Sequence, residues 1–202
     1  SSNFNGSDSF TFRVSDGSLS SNTATVSITV SAVNDAPSAN AQSVTTNEDT
    51  AKSITLDGSD SDGDTLTYSV VSAPSNGTIS GGTGAGRTYT PSSNFNGSDS
   101  FTFRVNDGSV NSGIATVSIS VSSVNDAPSA NAQSVSTAED TAKGITLSGS
   151  DPEGSSLTYT VVTGPSNGAI SGGTGATRTY TPSGNFSGSD SFTFRVNDGT
   201  VN

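Results

Sequence analysis

The sequence repeats itself with a period of 91 residues, and this repetition limits the fold more than any other feature. The segment 3–10 recurs without change at 94–101 and with one change at 185–192. Residues 34–111 and 125–202 are identical at 62 of 78 aligned positions. Such similar copies indicate recent duplication within a longer array of repeats.

The repeats are out of phase with the ends of the sequence. We expect the carboxy-terminal part of one repeat at 1–33, a complete repeat at 34–124 and a repeat without its last strand at 125–202. The sequence is then a window cut from a long array. A second interpretation is that residues 21–33 of another copy complete the open repeat by strand donation.

Within each repeat, apolar residues alternate with Ser and Thr, as in Phe101, Phe103 and Val105. This period of two is typical of strands with one buried face, and turn-forming clusters separate the runs. We predict seven strands in the complete repeat, at 41–46, 51–56, 66–73, 77–80, 86–90, 99–106 and 113–123. No segment carries a helical apolar stripe. The sequence therefore predicts an all-β fold of tandem seven-stranded immunoglobulin-like sandwiches.

Composition excludes several classes of function. The hydrophobic fraction is only 29%, which is compatible with disorder, but the regular alternation argues against disorder. The sequence contains no His and no Cys, so the common nucleophile–base pairs are absent and we expect no enzyme. A net charge of −11 argues against nucleic acid and anionic membranes as partners. No run of 18 apolar residues is present, so no membrane insertion is expected.

Four motifs at fixed spacing carry a family resemblance. They are Val-Asn-Asp-Ala-Pro at 33–37 and 124–128, Asn-Glu-Asp-Thr at 47–50, the segment 60–68 and the segment 99–108. Together they resemble the bacterial cadherin-like, or bacterial immunoglobulin-like, tandem repeats of large surface adhesins. The resemblance implies a secreted or cell-surface bacterial protein in which the repeats extend a distal adhesive tip away from its anchor.

The linker also resembles the cadherin inter-domain segment Asp-x-Asn-Asp-Asn-Ala-Pro, but it departs from that segment at two points. Ala32 stands in place of the first Asp, and one Asn before Ala-Pro is missing. We therefore expect one or two calcium ions at each junction between repeats, fewer than a cadherin junction holds.

The predicted topology brings most acids to the junctions. Head-to-tail stacking places the loops after the first and fifth strands of one repeat against the loops after the second and sixth strands of the next repeat, with the linker between them. For the first junction the candidate metal ligands are Asn34, Asp35, Asp60, Asp62, Asp64 and Asp107, with Asp8 upstream. For the second they are Glu48, Asp49, Asp99, Asn125, Asp126, Asp151, Glu153 and Asp198. Asp16 would serve a preceding junction, and Glu139, Asp140 and Asp190 a following one.

Calcium prefers six to eight hard oxygen ligands, which Asp, Glu and Asn supply. An ion at the junction would stiffen the array. The other interpretation is that these residues form turns, since Asp and Asn are common turn formers. Asp8, Asp99 and Asp190 in particular could accept hydrogen bonds from nearby backbone. In the third repeat Glu153 and Ser155 replace Asp62 and Asp64, so we expect weaker binding there.

Two further motifs have simpler explanations. The segment 60–64 is not an EF-hand, because the Gly is misplaced and Val71 occupies the position of the closing Glu. The Gly-rich segment 81–86 is predicted to be a flexible hairpin loop.

The sequence leaves three functions open. The favoured one is a structural spacer stiffened by calcium, whose partners are neighbouring repeats. The second is a module that binds carbohydrate or protein, for which exposed Phe4, Phe95 and Phe186 would be the aromatic candidates. The third is a filament subunit that assembles with other copies by strand donation.

Overall fold

A computed structural model describes residues 3–201 of the chain, which form eighteen strands and no helix. No helix able to cross a membrane occurs in this part of the chain. The protein divides into two compact units, Ser1–Ser122 and Ser123–Asn202. The prediction of an all-β fold is confirmed.

The first unit opens with an antiparallel hairpin. Strand β1 (Gly6–Phe12) pairs with β2 (Ala24–Val30), and Phe10 lies opposite Val26. The side chains that point to one face of this hairpin remain exposed, since Phe10 keeps 54% and Phe12 47% of its surface.

The rest of the first unit is a sandwich of nine strands. They are β3 (Ser38–Asn40), β4 (Gln42–Asn47), β5 (Lys52–Thr55), β6 (Asp57–Ser59), β7 (Thr67–Ser72), β8 (Gly77–Ser80), β9 (Gly86–Pro91), β10 (Gly97–Asn106) and β11 (Ala115–Ser122). One sheet has the order β4-β11-β10-β7, the other has the order β5-β9-β8, and β3 pairs with β6. Only β4 and β11 are parallel.

The core forms where the alternating strands of the two sheets face each other. Phe101, Phe103 and Val105 of β10 are fully buried, and Tyr89 of β9 packs in the same cluster. Strand β11 alternates buried and exposed residues along its whole length. The period of two in the sequence is thus the pattern of burial.

Each of the seven predicted strands overlaps an observed strand, but the short strands β3 and β6 lie outside the predicted ranges, so this region has nine strands where seven were expected. The predicted strand 51–56 is β5, and the N–H of Leu56 donates to the carbonyl of Ala85 (3.0 Å) in the register in which β5 pairs with β9. Directly after it, β6 pairs with β3 instead. The predicted strand 41–46 begins earlier, as β3 and β4, and changes partner at Ala41 from β6 to β11.

The Gly-rich segment 81–86 joins β8 and β9 in a hairpin as predicted, but it is not a free loop. The buried Arg87 guanidinium donates to the carbonyls of Gly84 (2.6 Å), Gly86 (2.7 Å) and Tyr68 (2.8 Å). The N–H of Tyr68 also donates to the carbonyl of Thr83 (2.8 Å). These bonds hold the segment against β7 and argue against the expected flexibility.

The second unit repeats this architecture with fewer strands. They are β12 (Ser129–Asn131), β13 (Lys143–Thr146), β14 (Ser148–Ser150), β15 (Thr158–Thr163), β16 (Gly168–Ser171), β17 (Thr177–Pro182) and β18 (Thr193–Asn197). Its sheets are β13-β17-β16, β15-β18 and β12-β14.

Residues 123–201 contain no counterpart of β11, and this difference explains their shorter strands. In the first unit β11 pairs with β4 and with the beginning of β10. The corresponding residues, 133–138 and 188–192, form no strand in the second unit. Each of those segments depends on β11 for its backbone hydrogen bonds, and neither is ordered as a strand without it.

Candidate metal site

The candidate site is built around the loop 60–64, which lies between β6 and β7. Asp60 shapes this loop from within, because its Oδ1 accepts the N–H groups of Asp62 (2.9 Å) and Asp64 (3.2 Å). Gly63 adopts a positive φ of 81°, a conformation that glycine takes without strain. The loop thereby turns three carboxylates toward one another.

Oxygen atoms of Asp60, Asp62 and Asp64 all lie within 4.8 Å of one another. The second oxygen of Asp60, Oδ2, is buried and accepts no hydrogen bond from the described residues. Burial of a carboxylate oxygen without a partner is costly, and three adjacent negative charges repel. A cation would offset both costs, and an all-oxygen donor set suits calcium. The residues present therefore fit the ion that the sequence predicts.

The linker is bonded to this loop and to the turn after β10. The N–H of Asp35 donates to Oδ2 of Asp62 (2.7 Å), and Nδ2 of Asn34 donates to Oδ2 of Asp107 (2.9 Å). The Asn34 amide and the N–H groups of Val110 and Ser109 hold the pKa of the Asp107 carboxyl below its ordinary value. The structure thus brings together the six residues predicted for the first junction.

Asn3 is a site residue that the sequence analysis missed. Its Nδ2 donates to Oδ2 of Asp35 (2.8 Å), so the segment before β1 contacts the linker. Asp8, the predicted upstream acid, lies in β1, and its Oδ1 accepts the N–H of Ser9 (2.8 Å). The sequence signal that was missed is the Asn at the start of the repeated segment 3–10. Asn3, Asn94 and Asn185 all adopt a positive φ near 55–58°. Asn tolerates this backbone conformation better than most residues do.

A cavity of about 260 Å³ lies between this segment and the linker. It is lined by Asn3, Phe4, Asn5, Asp35 and Asp62, together with residues 31–33. Four of these residues carry a side-chain amide or carboxylate, whose oxygens are the type of ligand that calcium prefers.

The second unit contains a reduced version of the same loop. Oδ2 of Asp151 is again buried and accepts no hydrogen bond from the described residues, while its Oδ1 accepts the N–H of Ser155 (2.8 Å). The N–H of Asp126 donates to Oε2 of Glu153 (3.0 Å). Ser155 provides no carboxylate where the first unit has Asp64, so one charged donor is lost.

Asn125 and Asp198 reproduce the contact between the linker and the turn. Nδ2 of Asn125 donates to Oδ2 of Asp198 (2.6 Å). The N–H of Val201, the Asn125 amide and the N–H of Thr200 lower the pKa of the Asp198 carboxyl. The linker geometry is therefore the same in both units, and the loop acids differ.

Glu48 and Asp49 lie at the opposite end of the sandwich, where β4 and β11 end and β10 begins. Oδ1 of Asp49 accepts the N–H of Asn94 (3.1 Å), and Oε2 of the buried Glu48 accepts Nδ2 of Asn96 (3.4 Å). Their place in a second junction remains a prediction.

Asp99 lies inside the first unit and not among the loops. Its carboxylate accepts four hydrogen bonds, from the N–H groups of Ser75, Asn76 and Ser100 and from the hydroxyl of Tyr89 (2.8–3.0 Å). This geometry favours the backbone-binding interpretation of Asp99, and we leave it out of the proposed site. Asp190 has the equivalent partners in the second unit.

Known proteins resemble this chain in fold. The structure of human protocadherin-24 EC1-2 matches with 17% identity and a TM-score of 0.51, covering 82% of this chain and 94% of that one. Surface layer protein SbsC domains 4–9 match with 17% identity and a TM-score of 0.35, covering 98% of this chain and 34% of that one.

The endo-fucoidan hydrolase MfFcnA4 of glycoside hydrolase family 107 matches with 21% identity and a TM-score of 0.39, covering 96% of this chain. The present chain spans about a third of the length of the fucoidan hydrolases that it matches. No curated protein sequence matches significantly.

The sequence matches a family model three times in succession. The model describes a bacterial Ig domain, and it matches residues 1–29, 34–120 and 125–202, which is nearly the whole chain. The three matched segments coincide closely with the hairpin β1–β2, the sandwich of β3 to β11 and the sheets of β12 to β18. The chain therefore belongs to the bacterial Ig domain family.

Proposed function

We propose that these repeats are a spacer of an extracellular bacterial surface protein, and that calcium bound at the linker stiffens them. The observation that carries the proposal is the buried, unpartnered Oδ2 of Asp60 inside a cluster of three carboxylates. Its recurrence at Asp151, one period further along the chain, supports a role for that oxygen in both repeats.

The contacts of the linker support the mechanical part of the proposal. Asn3 belongs to the preceding repeat, Asp35 to the linker and Asp62 to the following repeat, and hydrogen bonds join them in that order. An ion bound by Asp35, Asp60 and Asp62 would hold the linker to the loop, and Asn3 would connect the preceding repeat to it. Calcium would thus reduce the freedom of one repeat relative to the next.

The chain's own chemistry supports a spacer over an enzyme. The chain has no His and no Cys, and the acids of the loop are bonded to backbone N–H groups and not to a nucleophile.

A carbohydrate- or protein-binding module is the weaker candidate. Of the three aromatic candidates, Phe95 packs against the core and Phe186 is half-buried, while Phe4 keeps 44% of its surface exposed. The copy within the complete repeat is therefore partly buried against the core, which makes it a poor aromatic platform for a sugar.

The test is calcium titration of the full chain by isothermal calorimetry, compared with the variants Asp60→Asn and Asp62→Asn. We expect heat of binding from the wild type, and at least a tenfold weaker affinity in each variant because a charged ligand is lost. Asp57→Asn is the matched control, since exposed Asp57 bonds to Asn40 and lies outside the cluster. The absence of calcium binding by the wild type, or equal weakening in Asp57→Asn, would refute the calcium proposal.

A further inference from the structure

The sequence contains four Asn-Gly pairs, and the structure places them in two different environments. They are Asn5-Gly6, Asn76-Gly77, Asn96-Gly97 and Asn167-Gly168. In such a pair the side-chain amide of Asn can be lost, because Gly has no side chain to hinder attack by its backbone nitrogen. Asn is accordingly one of the thermolabile residues. The reaction requires the backbone between Asn and Gly to rotate until the attacking nitrogen reaches the amide carbon.

The pair Asn96-Gly97 in the sandwich of β3 to β11 has room for this rotation. Asn96 is exposed and immediately precedes β10. A Cβ at Gly97 would meet only the Phe95 ring, at 3.6 Å or more, which is ordinary van der Waals contact. Nδ2 of Asn96 donates to Oε2 of Glu48 at 3.4 Å, a distance at which a hydrogen bond is weak. The amide is therefore not held away from the Gly nitrogen.

The pair Asn76-Gly77 of the same sandwich is fixed on both sides. The N–H of the half-buried Asn76 donates to Oδ2 of Asp99 (3.0 Å), and its carbonyl accepts the N–H of the residue that follows β9 (2.9 Å). A Cβ at Gly77 would lie 2.6 Å from the Tyr89 ring, so this Gly is packed tightly against the ring. The pair at 167–168 has the equivalent contacts in the second unit.

The pair Asn5-Gly6 is a copy of Asn96-Gly97, because the segments 3–10 and 94–101 are identical. Gly6 and Gly97 also share a backbone conformation, with φ of 124° and 128°. Asn5 lines the cavity that contains Asp35 and Asp62. A carboxylate formed at position 5 would therefore lie beside two of the proposed calcium ligands.

We propose that Asn96 and Asn5 are sites of spontaneous deamidation in the folded protein, and that the carboxylate formed at position 5 strengthens calcium binding. The second part rests on the calcium site proposed above. The number of charged ligands tunes the affinity of calcium sites, and deamidation replaces a neutral amide by a carboxylate. The third repeat has Ser187 at this position, so it has no amide to lose there.

The reaction consumes only water. The backbone nitrogen of Gly6 attacks Cγ of Asn5 and gives up its proton, and the new C–N bond closes a succinimide ring. The side-chain amide nitrogen leaves with that proton as ammonia. Water then opens the ring at one of its two carbonyls and produces aspartate or isoaspartate. Both products carry a carboxylate in place of the amide, so each event makes the chain one charge more negative.

Mass spectrometry of the full chain, aged at mildly alkaline pH in EDTA, tests the first part. Trypsin cleaves after Lys and Arg and leaves the four pairs in separate peptides, residues 1–13, 53–87, 88–104 and 144–178. We expect 88–104 and 1–13 to deamidate about tenfold or more faster than the other two, since the sheet contacts restrain the pairs at 76 and 167. In urea, where those contacts are lost, the four rates should become similar.

Two results would overturn the first part. One is a folded chain in which 53–87 deamidates as fast as 88–104. The other is a folded chain in which 88–104 or 1–13 keeps its amide while the unfolded chain loses it. A chain with Asn96→Gln is the matched control for assignment, because its longer side chain closes the ring poorly and 88–104 should then stay unchanged.

Calcium titration of fresh and aged chains tests the second part. All chains carry Asn96→Gln, so that position 5 is the one of the two that reacts. We expect ageing to tighten calcium binding by about threefold or more, and Asn5→Asp to produce the gain without ageing. Asn5→Gln is the matched control, since its affinity should be the same before and after ageing.

The outcomes separate this inference from the proposed function. An aged chain whose calcium affinity is unchanged, or an equal gain in aged Asn5→Gln, would overturn the role of position 5. A fresh chain that binds no calcium would refute the proposed function and with it the second part. Deamidation at the two sites is measured in EDTA and is decided independently of either result.

Discussion

Single residues in this protein owe their roles to the backbone groups that surround them. Asp60 and Asp99 are the same residue type, yet only Asp60 leaves an oxygen without a partner among the described residues. Both carboxylate oxygens of Asp99 accept hydrogen bonds, and one of the donors is the Tyr89 hydroxyl. Burial and the bond to Asp99 raise the pKa of the Tyr89 hydroxyl, so it stays a donor. Asp60 is thus suited to a cation and Asp99 to structural support.

Asp99 also has a defined effect on stability and its pH dependence. Burial raises the pKa of its carboxyl, but the hydrogen bonds from Ser100, Ser75, Tyr89 and Asn76 lower it more, so the pKa lies below the ordinary 3.8. A lowered pKa in the folded state means that the stabilisation is complete above pH 3.8 and is lost as the pH falls through the folded-state pKa.

We therefore predict that Asp99→Asn lowers the free energy of unfolding of the first unit at pH 7 by roughly 2 kcal/mol, because a charged acceptor of four hydrogen bonds is lost. The difference from the wild type should shrink below pH 3.8. Urea unfolding between pH 2 and pH 7 measures this. A difference that stays constant to pH 2 would contradict the role assigned to the charge.

Among the elements, β11 has the largest influence on its neighbours. Its sequence alternation predicts a strand, but nothing in that sequence says that β4 and half of β10 depend on it. The comparison of the two units makes this dependence visible, because the sequences of 133–138 and 42–47 are similar and only the latter is a strand. Pairing of the backbone, and not local propensity, decides the state of this segment.

Hydrogen exchange tests this dependence at the level of the element. We predict that the amides of Val44 and Thr46, which lie in β4, exchange at least a hundredfold more slowly than those of Val135 and Thr137. Val44 and Thr46 pair with β11, whereas 133–138 has no sheet partner among the described residues. Mass spectrometry of peptides covering 42–47 and 133–138 gives both rates. Equal protection of the two peptides would show that this segment forms a strand without β11.

At the scale of the whole molecule, the two units share an architecture, and besides the counterpart of β11 that residues 123–201 do not contain, they differ in the acids of one loop. The first unit has Asp60, Asp62 and Asp64, whereas the second has Asp151, Glu153 and Ser155 at the same positions. If calcium stabilises each unit through this loop, the two units should respond to it differently, since a ligand stabilises the folded state more when it binds more tightly.

Differential scanning calorimetry of the full chain measures this difference. We predict that millimolar calcium raises the unfolding temperature of the first unit by several degrees and that of the second unit by less. Ser155→Asp, which restores the third carboxylate, should increase the shift of the second unit. Ser156→Asp is the control with the same charge at the next position. Equal shifts in the two units of the wild type would contradict a role for Asp64.

The sequence by itself determined the all-β fold, the strand positions and the end of the sandwich at which Asp35, Asp62 and Asp107 meet. Alternation reports which face is buried, and the order of strands determines which loops share an end, so both can be inferred without coordinates. The Asn-Asp-Ala-Pro linker and the acidic loop were recognisable for the same reason.

Only the tertiary structure decided the role of individual polar atoms. Asp99 and Asp60 belong to the same sequence pattern of acids near strand ends. Their different roles depend on which N–H groups lie within hydrogen-bonding distance of each carboxylate. Three other contacts also join residues far apart in sequence. Asn3 bonds to Asp35, Arg87 holds the Gly-rich loop against β7, and β4 pairs with β11. Hydrogen bonds between distant segments depend on their three-dimensional placement, which local sequence patterns do not encode.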